Sequence, residues 1–252
     1  MANKTLSVAI VSFNEEENIG RTLKSIADFA DEIIVVDSNS TDKTREIAIS
    51  YGAKVFLEDW KGYVNQKNSA LEKCKGDWIL CLDCDEVVTE ELKSEIIKAI
   101  DIPGIDGFFI NRRVVYLNKE LKHAWQPDLK LRLVRRMAFP RWTGYDPHDS
   151  LIINGKTGRL KGILLHYPYK NIDHHFMKLI NYARISASSY REMNKKFKLY
   201  KLIFNPIFAF LKQYLLKRGF LDGFRGFIVA FSSFCYVFLK YLFLWEKERD
   251  LS

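Results

Sequence analysis

Short apolar runs alternate with helix-period segments through the first hundred residues, and no other feature constrains the fold as tightly. LSVAIVSF (6–13), DEIIVVDS (31–38), AKVFLED (53–59) and WILCLD (78–83) read as strands. Between the first two, residues 18–29 place Ile19, Leu23, Ile26 and Ala27 at helical spacing. Residues 40–51 open with a Ser/Thr/Asp cap cluster, and residues 63–74 and 89–100 complete the helical series. Thr89 is the expected N-cap of the last of these, and Pro103 follows its end. A strand–helix repeat of this kind predicts an α/β fold, a mostly parallel sheet with helices on both faces. Ligands of such sheets gather at the carboxyl ends of the strands. The residues just after each apolar run are therefore where chemistry is expected.

Beyond residue 105 the pattern changes. GFFINRRVVYL, LKLRLVRR, SLIING and LLHYPY are short β-type runs separated by Gly, Pro and Asn, and they predict an antiparallel extension of the sheet. Helical periodicity returns over residues 174–190. The last third is rich in Phe, Tyr and Leu, but its longest uncharged run, Gly226–Leu239, falls short of the ~20 residues needed for a membrane span. Lys195, Lys196, Lys198, Lys201, Lys212, Lys217, Arg218 and Arg225 are interleaved with these aromatics. That mixture predicts amphipathic helices lying on an anionic membrane surface, with packing on the globular domain or against a second copy, in a homo-oligomer, as the alternative. The expected organisation is a main domain over 1–190, with halves 1–105 and 106–190, followed by membrane-associating helices over 191–252. A net charge of +8 suits an anionic partner. Nucleic acid is not expected, because the basic residues accompany long apolar runs rather than a polar groove.

The segment WILCLDCDE (78–86) ends an apolar run in carboxylates and thiols. On an extended strand Asp83 and Asp85 point to the same side, while Cys81 and Cys84 point to opposite sides. A metal or redox site built on Cys81 and Cys84 would need a turn to bring both sulfurs together. These thiols read instead as small apolar fillers. Cys74, Cys81, Cys84 and Cys235 show no disulfide-framework spacing, which suggests a reducing compartment. The apolar run in MANKTLSVAIVSF is too short for a secretory signal. Carboxylate oxygens suit Mg²⁺ or Mn²⁺, which usually shares its coordination with substrate phosphates. Glu86 is expected to cap the following helix.

Several segments, taken in order, carry a family resemblance. VAIVSFNEEENI (8–19), DEIIVVDSNSTDKT (31–44), NQKNSAL (65–71) and WILCLDCDE (78–86) resemble the successive signatures of inverting glycosyltransferase family 2. HAWQPDLKLRLVRR (123–136), PHDSLIINGKTGRLKG (147–162) and LLHYPY (164–169) resemble the bacterial subgroup that includes lipopolysaccharide-core glucosyltransferases. The resemblance covers most of residues 5–185 and implies a nucleotide-diphospho-sugar transferase fold of the GT-A type.

It also implies roles for particular residues. Ser12, Phe13, Asn14 and Glu15 match the first donor-binding turn, with Phe13 near the base and Glu15 near the ribose. Asp37 matches the acid at the base edge, with Ser38 beside it. Asn65, Lys67 and Asn68 match a helix face near the diphosphate, where an ammonium stabilises the leaving group. Asp85 is the implied metal contact, and Asp83 lies nearer the ribose or sugar while sharing that site. His166 matches a histidine that completes the coordination, and imidazole binds Mn²⁺ readily. Asp128 and Arg132 are implied to meet the donor sugar or diphosphate. Asp149 matches the base that deprotonates the acceptor, and His148, standing where the family often has Glu, either orients the acceptor or serves as the base itself. Arg135 and Arg136 are candidates for an anionic acceptor. His174 and His175 read as ordinary surface or packing residues.

The resulting expectation is metal-dependent, inverting transfer of a hexose from a nucleotide-diphosphate sugar, with UDP-glucose as the default. The acceptor is a lipid-linked or lipopolysaccharide-core saccharide, and the enzyme is peripheral on the cytoplasmic face of the bacterial inner membrane. Two other readings compete. A nucleotidyltransferase would want a Gly- and Arg-rich phosphate loop after the first strand, where SFNEEENIGRT is acidic. An inactive membrane-bound carbohydrate-binding protein would have no reason to keep Asp83, Asp85 and Asp149 together. A dinucleotide-binding enzyme lacks its glycine fingerprint here.

Overall fold

In a computed structural model the described residues are 4–145 and 148–249, without the side chains of Tyr145 and His148. They form two compact units, one of residues 1–112 with 128–167 and the other of residues 113–127 with 168–252.

The first unit begins with β1 (Leu6–Ser12), α1 (Ile19–Lys24), β2 (Glu32–Asp37), α2 (Thr44–Ser50), β3 (Lys54–Leu57), α3 (Tyr63–Lys73) and β4 (Trp78–Asp83). It continues through β5 (Glu86–Val88), α4 (Glu90–Ala99) and β6 (Gly107–Tyr116). The chain returns from the two-residue β7 (Lys119–Glu120) into β8 (Leu129–Arg135), β9 (Arg141–Tyr145), β10 (His148–Ile152) and β11 (Thr157–His166). Sheet order is β3-β2-β1-β4-β8-β6-β11-β5, with β9 and β10 forming a separate hairpin. The first four strands are parallel, and β8 joins β4 antiparallel.

This arrangement follows from the strand sequences. β1 is apolar on both faces, as a strand covered on both sides must be. Its Leu6, Val8 and Ile10 enter one core with Ile19, Leu23, Leu92 and Ile96. Its Ala9 faces the other, with Ile34, Ile79 and Leu71. Each fully buried aliphatic side chain stabilises the fold by about 1.5–3 kcal/mol. Register then sets the site: Ser12 pairs with Asp37, and Val11 pairs with Asp83. The strands thus end together.

α1 and α2 are shorter than their sequence patterns, because a turn over residues 25–29 replaces the end of α1, and bends and a turn over residues 41–43 occupy the cap cluster before α2. Thr89 does cap α4, its hydroxyl accepting the Leu92 N–H at 3.3 Å. Glu86 corrects its expectation. It caps no helix but lies fully buried in β5.

The second unit holds α5 (Ile172–Glu192), α6 (Leu199–Leu211) and α7 (Phe224–Glu248), together with the end of β6 and β7. Val114, Tyr116, Leu121, Ala124 and Val229 form one of its cores. The Asp222 carboxylate accepts the backbone N–H groups of Lys122, His123 and Ala124 at 2.8–3.0 Å, which pins that loop to the segment before α7.

Candidate active site

The loops after β1 and β2 are laced together at the carboxyl edge of the sheet. Asp37 is fully buried; its carboxylate accepts the hydroxyls of Ser12 at 2.7 Å and Ser40 at 2.6 Å, and the Ser40 N–H at 2.8 Å. Asn14 adopts φ 53°, a left-handed conformation that Asn tolerates well. Its N–H donates to Ser40 Oγ and its side-chain oxygen accepts the Thr41 N–H, both at 2.9 Å. The Glu15 N–H donates to Thr44 Oγ1 at 2.7 Å, and its carboxylate accepts Asn18 Nδ2 at 2.8 Å. Beside this rigid frame Phe13 is 56% exposed. Ser38 is buried, and its hydroxyl has no hydrogen-bond partner among the described residues.

Next to the loops runs a chain of alternating charges. Lys67 Nζ from α3 lies 3.0 Å from Asp83 and 2.8 Å from Asp149. Arg132 from β8 bridges Asp83 at 2.7 Å and Glu86 at 2.6 Å. Arg112 from β6 reaches Glu86 at 3.2 Å and Asp128 at 2.8 Å. Buried charges persist only when paired and hydrogen-bonded, and here they are. Burial opposes ionisation of Asp83, but Lys67, Arg132 and Arg112 outweigh it and hold its carboxyl well below the usual range. Burial likewise disfavours the charged forms of Lys67 and Arg132, yet the acids around them raise both above their ordinary values.

Lys67 also lies 4.4 Å from the centre of the Trp142 ring, a cation–π contact. Trp142 is clamped by Asn68, which donates to its carbonyl at 3.0 Å and accepts its N–H at 2.8 Å. Val11, Lys67, Asp83 and Trp142 line a small cleft at this point. Asn65 stays apart from it; its amide donates back to the Lys61 carbonyl on the exposed side of α3. Glu86 and Arg112 were not among the expected site residues. The one sequence signal for Arg112 is a pair of arginines interrupting an apolar strand run.

Asp83 and Asp85 meet different partners. β4 ends at Asp83 and a turn holds Cys84 and Asp85, so strand alternation stops between the two acids. Asp85 instead meets His166, with Oδ2 at 3.3 Å from Nε2. The Tyr167 N–H donates to the Asp85 carbonyl at 2.8 Å and fixes this approach. His166 Nδ1 is buried without a hydrogen-bond partner among the described residues. Among the described residues, no three His, Cys, Asp or Glu side chains converge as a metal cluster. Both Asp83 oxygens face cations instead.

The Asp85–His166 pair by itself fits a divalent ion. Two adjacent ligands each ~2.1 Å from a cation stand about 3 Å apart, and the remaining positions can be filled by substrate oxygens. The thiols are inert fillers, as expected. All four cysteines are free; burial pushes Cys81 up to about 12, and burial together with Glu15, Asp85, Asp83 and Asp37 raises Cys84 well above its usual value. His148 is placed on β10, but its side chain lies outside the described residues.

A parallel sheet extended by antiparallel strands, with acids and bases gathered where the parallel strands end, defines a GT-A glycosyltransferase fold. The family model for Glycosyl transferase family 2 matches residues 7–157, and the chain belongs to that family. An uncharacterized glycosyltransferase of Rickettsia typhi is 34% identical over 261 residues, covering 99% of this chain and 88% of the relative. The lipopolysaccharide core biosynthesis glycosyltransferase LpsC of Rhizobium meliloti is 31% identical over 257 residues, covering 96% of this chain and 93% of the relative. Among solved structures, mannosyltransferase PcManGT from Pyrobaculum calidifontis, in complex with GDP-Man and Mn²⁺, aligns with a TM-score of 0.58. It shares 13% identity, over 98% of this chain and 89% of that one. The protein is thus a glycosyltransferase with a lipopolysaccharide-core relative.

Proposed function

We propose that the protein transfers a hexose from a nucleotide-diphosphate sugar, UDP-glucose first among candidates, to a lipid-linked or lipopolysaccharide-core saccharide with inversion at the anomeric carbon. The enzyme works peripherally at the cytoplasmic face of the inner membrane; residues 1–105 serve the donor and 106–190 the acceptor. The observation that carries this reading is Lys67, whose ammonium bridges Asp83 and Asp149 beside the strand-end loops.

Each side chain then has a task. Phe13 offers an exposed ring to the nucleobase, and the loop Ser12–Glu15, braced by Asp37 with Ser38, cradles the nucleoside. Asn68 holds Trp142, and with it the cleft beside Lys67, while Asn65 stays at the solvent side of the diphosphate. Asp83, Asp128 and Arg132 order the sugar end through their mutual pairing with Arg112 and Glu86. A divalent ion such as Mn²⁺ or Mg²⁺, held by Asp85 and His166, would offset charge on the departing diphosphate.

An arriving diphosphate competes with Asp83 and Asp149 for the Lys67 ammonium. Lys67 then stabilises the leaving group, and Asp149 is freed to meet the acceptor hydroxyl. Asp149 takes the proton of the acceptor hydroxyl. That oxygen forms the new bond to the anomeric carbon as the bond to the diphosphate breaks, and the nucleoside diphosphate leaves with the electron pair. His148 adjoins Asp149 in sequence and orients the acceptor hydroxyl.

Calorimetry with UDP-glucose tests this reading. Donor binding is expected to strengthen when Mn²⁺ is added and to weaken at least about tenfold in Asp85→Ala. If no nucleotide-diphosphate sugar binds with or without the metal, the reading falls.

A further inference from the structure

Helix α6 is apolar on its exposed side as well as on its packed one. Leu199, Ile203, Phe204, Ile207, Phe208 and Leu211 recur three and four residues apart and are 41–63% exposed. Facing inward are the buried Pro206, Leu202 packed against Ala187, Tyr241 and Leu244, and the Asn205 amide, which donates to the Tyr241 hydroxyl at 2.9 Å. A helix in water turns its apolar stripe to the core. This one shows apolar residues outward as well. On α7 a row of phenylalanines extends the surface: Phe224, Phe227, Phe231, Phe234 and Phe238 stack with centroids 6.1–6.4 Å apart and ring planes within 14° of parallel. Phe224 is 74% exposed. An apolar surface this continuous marks an interaction site.

The charges around it are mostly positive, with Glu192 at the end of α5 and Glu248, which accepts the Phe197 N–H at 2.6 Å, as acids near the start of α6. Lys195, Lys196 and Lys198 precede α6, and Lys212, Lys217 and Arg218 follow it. Lys195 and Lys240 lie over the Tyr190 ring at 4.3 and 4.4 Å, and Lys240 donates to the Tyr190 hydroxyl at 3.1 Å. Burial opposes ionisation of Tyr190, but Lys240, Lys195 and Lys201 outweigh it and draw the hydroxyl below its ordinary value. Among the described residues no carboxylate forms an ion pair with Lys195, Lys201 or Lys240. The cluster is short of anions.

Length decides the orientation. The 13 residues of α6 span roughly 20 Å, well short of the ~30 Å hydrocarbon layer, so cations at both its ends reach head groups only if the helix lies flat. α7 is long and apolar enough to cross a membrane. However, its Tyr236 hydroxyl bonds Ser186 of α5 at 2.7 Å, and its Tyr241 bonds Asn205 of α6, contacts that tie it alongside both helices. A second copy on the same face would bring two like-charged lysine sets together across a two-fold axis, and lysine is depleted from such interfaces. A sheet of lipid phosphates suits both the apolar stripe and the lysines.

We propose that the second unit docks flat on an anionic phospholipid bilayer. The outward face of α6 and the phenylalanine row of α7 enter the acyl boundary, and Lys195, Lys201 and Lys240 around Tyr190 receive lipid phosphates. This deepens the peripheral placement given above and rests on it.

The test uses the full chain and vesicles of phosphatidylcholine, with and without phosphatidylglycerol. Binding to the mixed vesicles is expected to exceed binding to the neutral ones at least about tenfold and to weaken with salt. Phe204→Glu combined with Phe208→Glu is expected to abolish sedimentation with both. Lys195→Glu combined with Lys201→Glu is expected to remove only the preference for phosphatidylglycerol. Circular dichroism and donor binding, unchanged in both variants, confirm that they fold. Loss of neither property in these variants overturns the proposal, as does a lipid-free dimer that Phe204→Glu dissociates. Donor binding without vesicle binding overturns the docking alone; vesicle binding without donor binding overturns the transfer reading alone.

Discussion

The two units break the usual rule of folding in opposite directions. In the first, a fully buried Glu86 and an almost fully buried Arg132 sit among five other charged side chains, each with an opposite partner within 3.4 Å. In the second, large aromatic and aliphatic side chains stand outward on α6 and α7, where the described residues offer them no cover. Charge taken inside and grease left outside both cost stability, so a chain keeps either only for a reason beyond folding. In the first unit the proposed reason is a site whose cations and acids are held in place before substrate arrives. In the second it is a surface that water does not satisfy.

The comparison can be broken most severely at Glu86. Glu86→Ala leaves Arg112 and Arg132 without their shared carboxylate, and chemical denaturation is expected to show a loss of about 3–5 kcal/mol. A loss under ~1 kcal/mol would mean that the buried charges are not what organises the strand ends. Asp149→Asn comes next. Initial rates with a labelled donor are expected to fall about a thousandfold while calorimetric donor affinity is kept; parallel loss of affinity would move Asp149 from the chemistry to the binding of donor.

His175 sharpens the contrast from the second unit, because it is a titratable group buried there without an ionic partner. Burial, helped by His174, lowers its pKa from 6.5 to about 4, and the Tyr116 hydroxyl bonds its Nδ1 at 2.9 Å. The folded state thus keeps His175 neutral where the unfolded chain would protonate it. Its contribution is full above pH 6.5 and is lost as pH falls toward 4, an effect of about 3 kcal/mol. In His175→Gln the urea midpoint should lose that part of its decline between pH 6.5 and 4; an unchanged pH profile would mean that His175 is accessible to protons. The smallest effect is expected at Phe204. Without lipid, Phe204→Ser should change stability by no more than about 0.5 kcal/mol, as an exposed position does. A loss several times larger would show that this face is covered in solution and that the contrast between the units is false.

Much of the first unit was legible in the sequence. Each strand and helix announces itself through a period that neighbouring residues share, and four parallel strands ending in SFNE, DSNS, LEDW and DCDE place the chemistry at one edge. The ordered motifs also carried the family, which the match over residues 7–157 bears out. The limits fall where local periodicity ends. β4 ends at Asp83 and Cys84 and Asp85 form a turn, so strand alternation does not reach Asp85. Glu86 was read from its nearness to α4, when its partners lie 26 and 46 residues away in β6 and β8.

The amino-acid order alone determined which segments become strands, that they would run parallel, and that acids would crowd their ends, since all of this depends on side chains a few positions apart. Only the tertiary structure decided which cation meets which acid. Sheet order brings β8 against β4 and β6 against β8, and that places Arg132 and Arg112 over Glu86 while α3 brings Lys67 to Asp149. A charge in low dielectric must find its counter-ion wherever the fold puts one, and distance along the chain says nothing about where that will be.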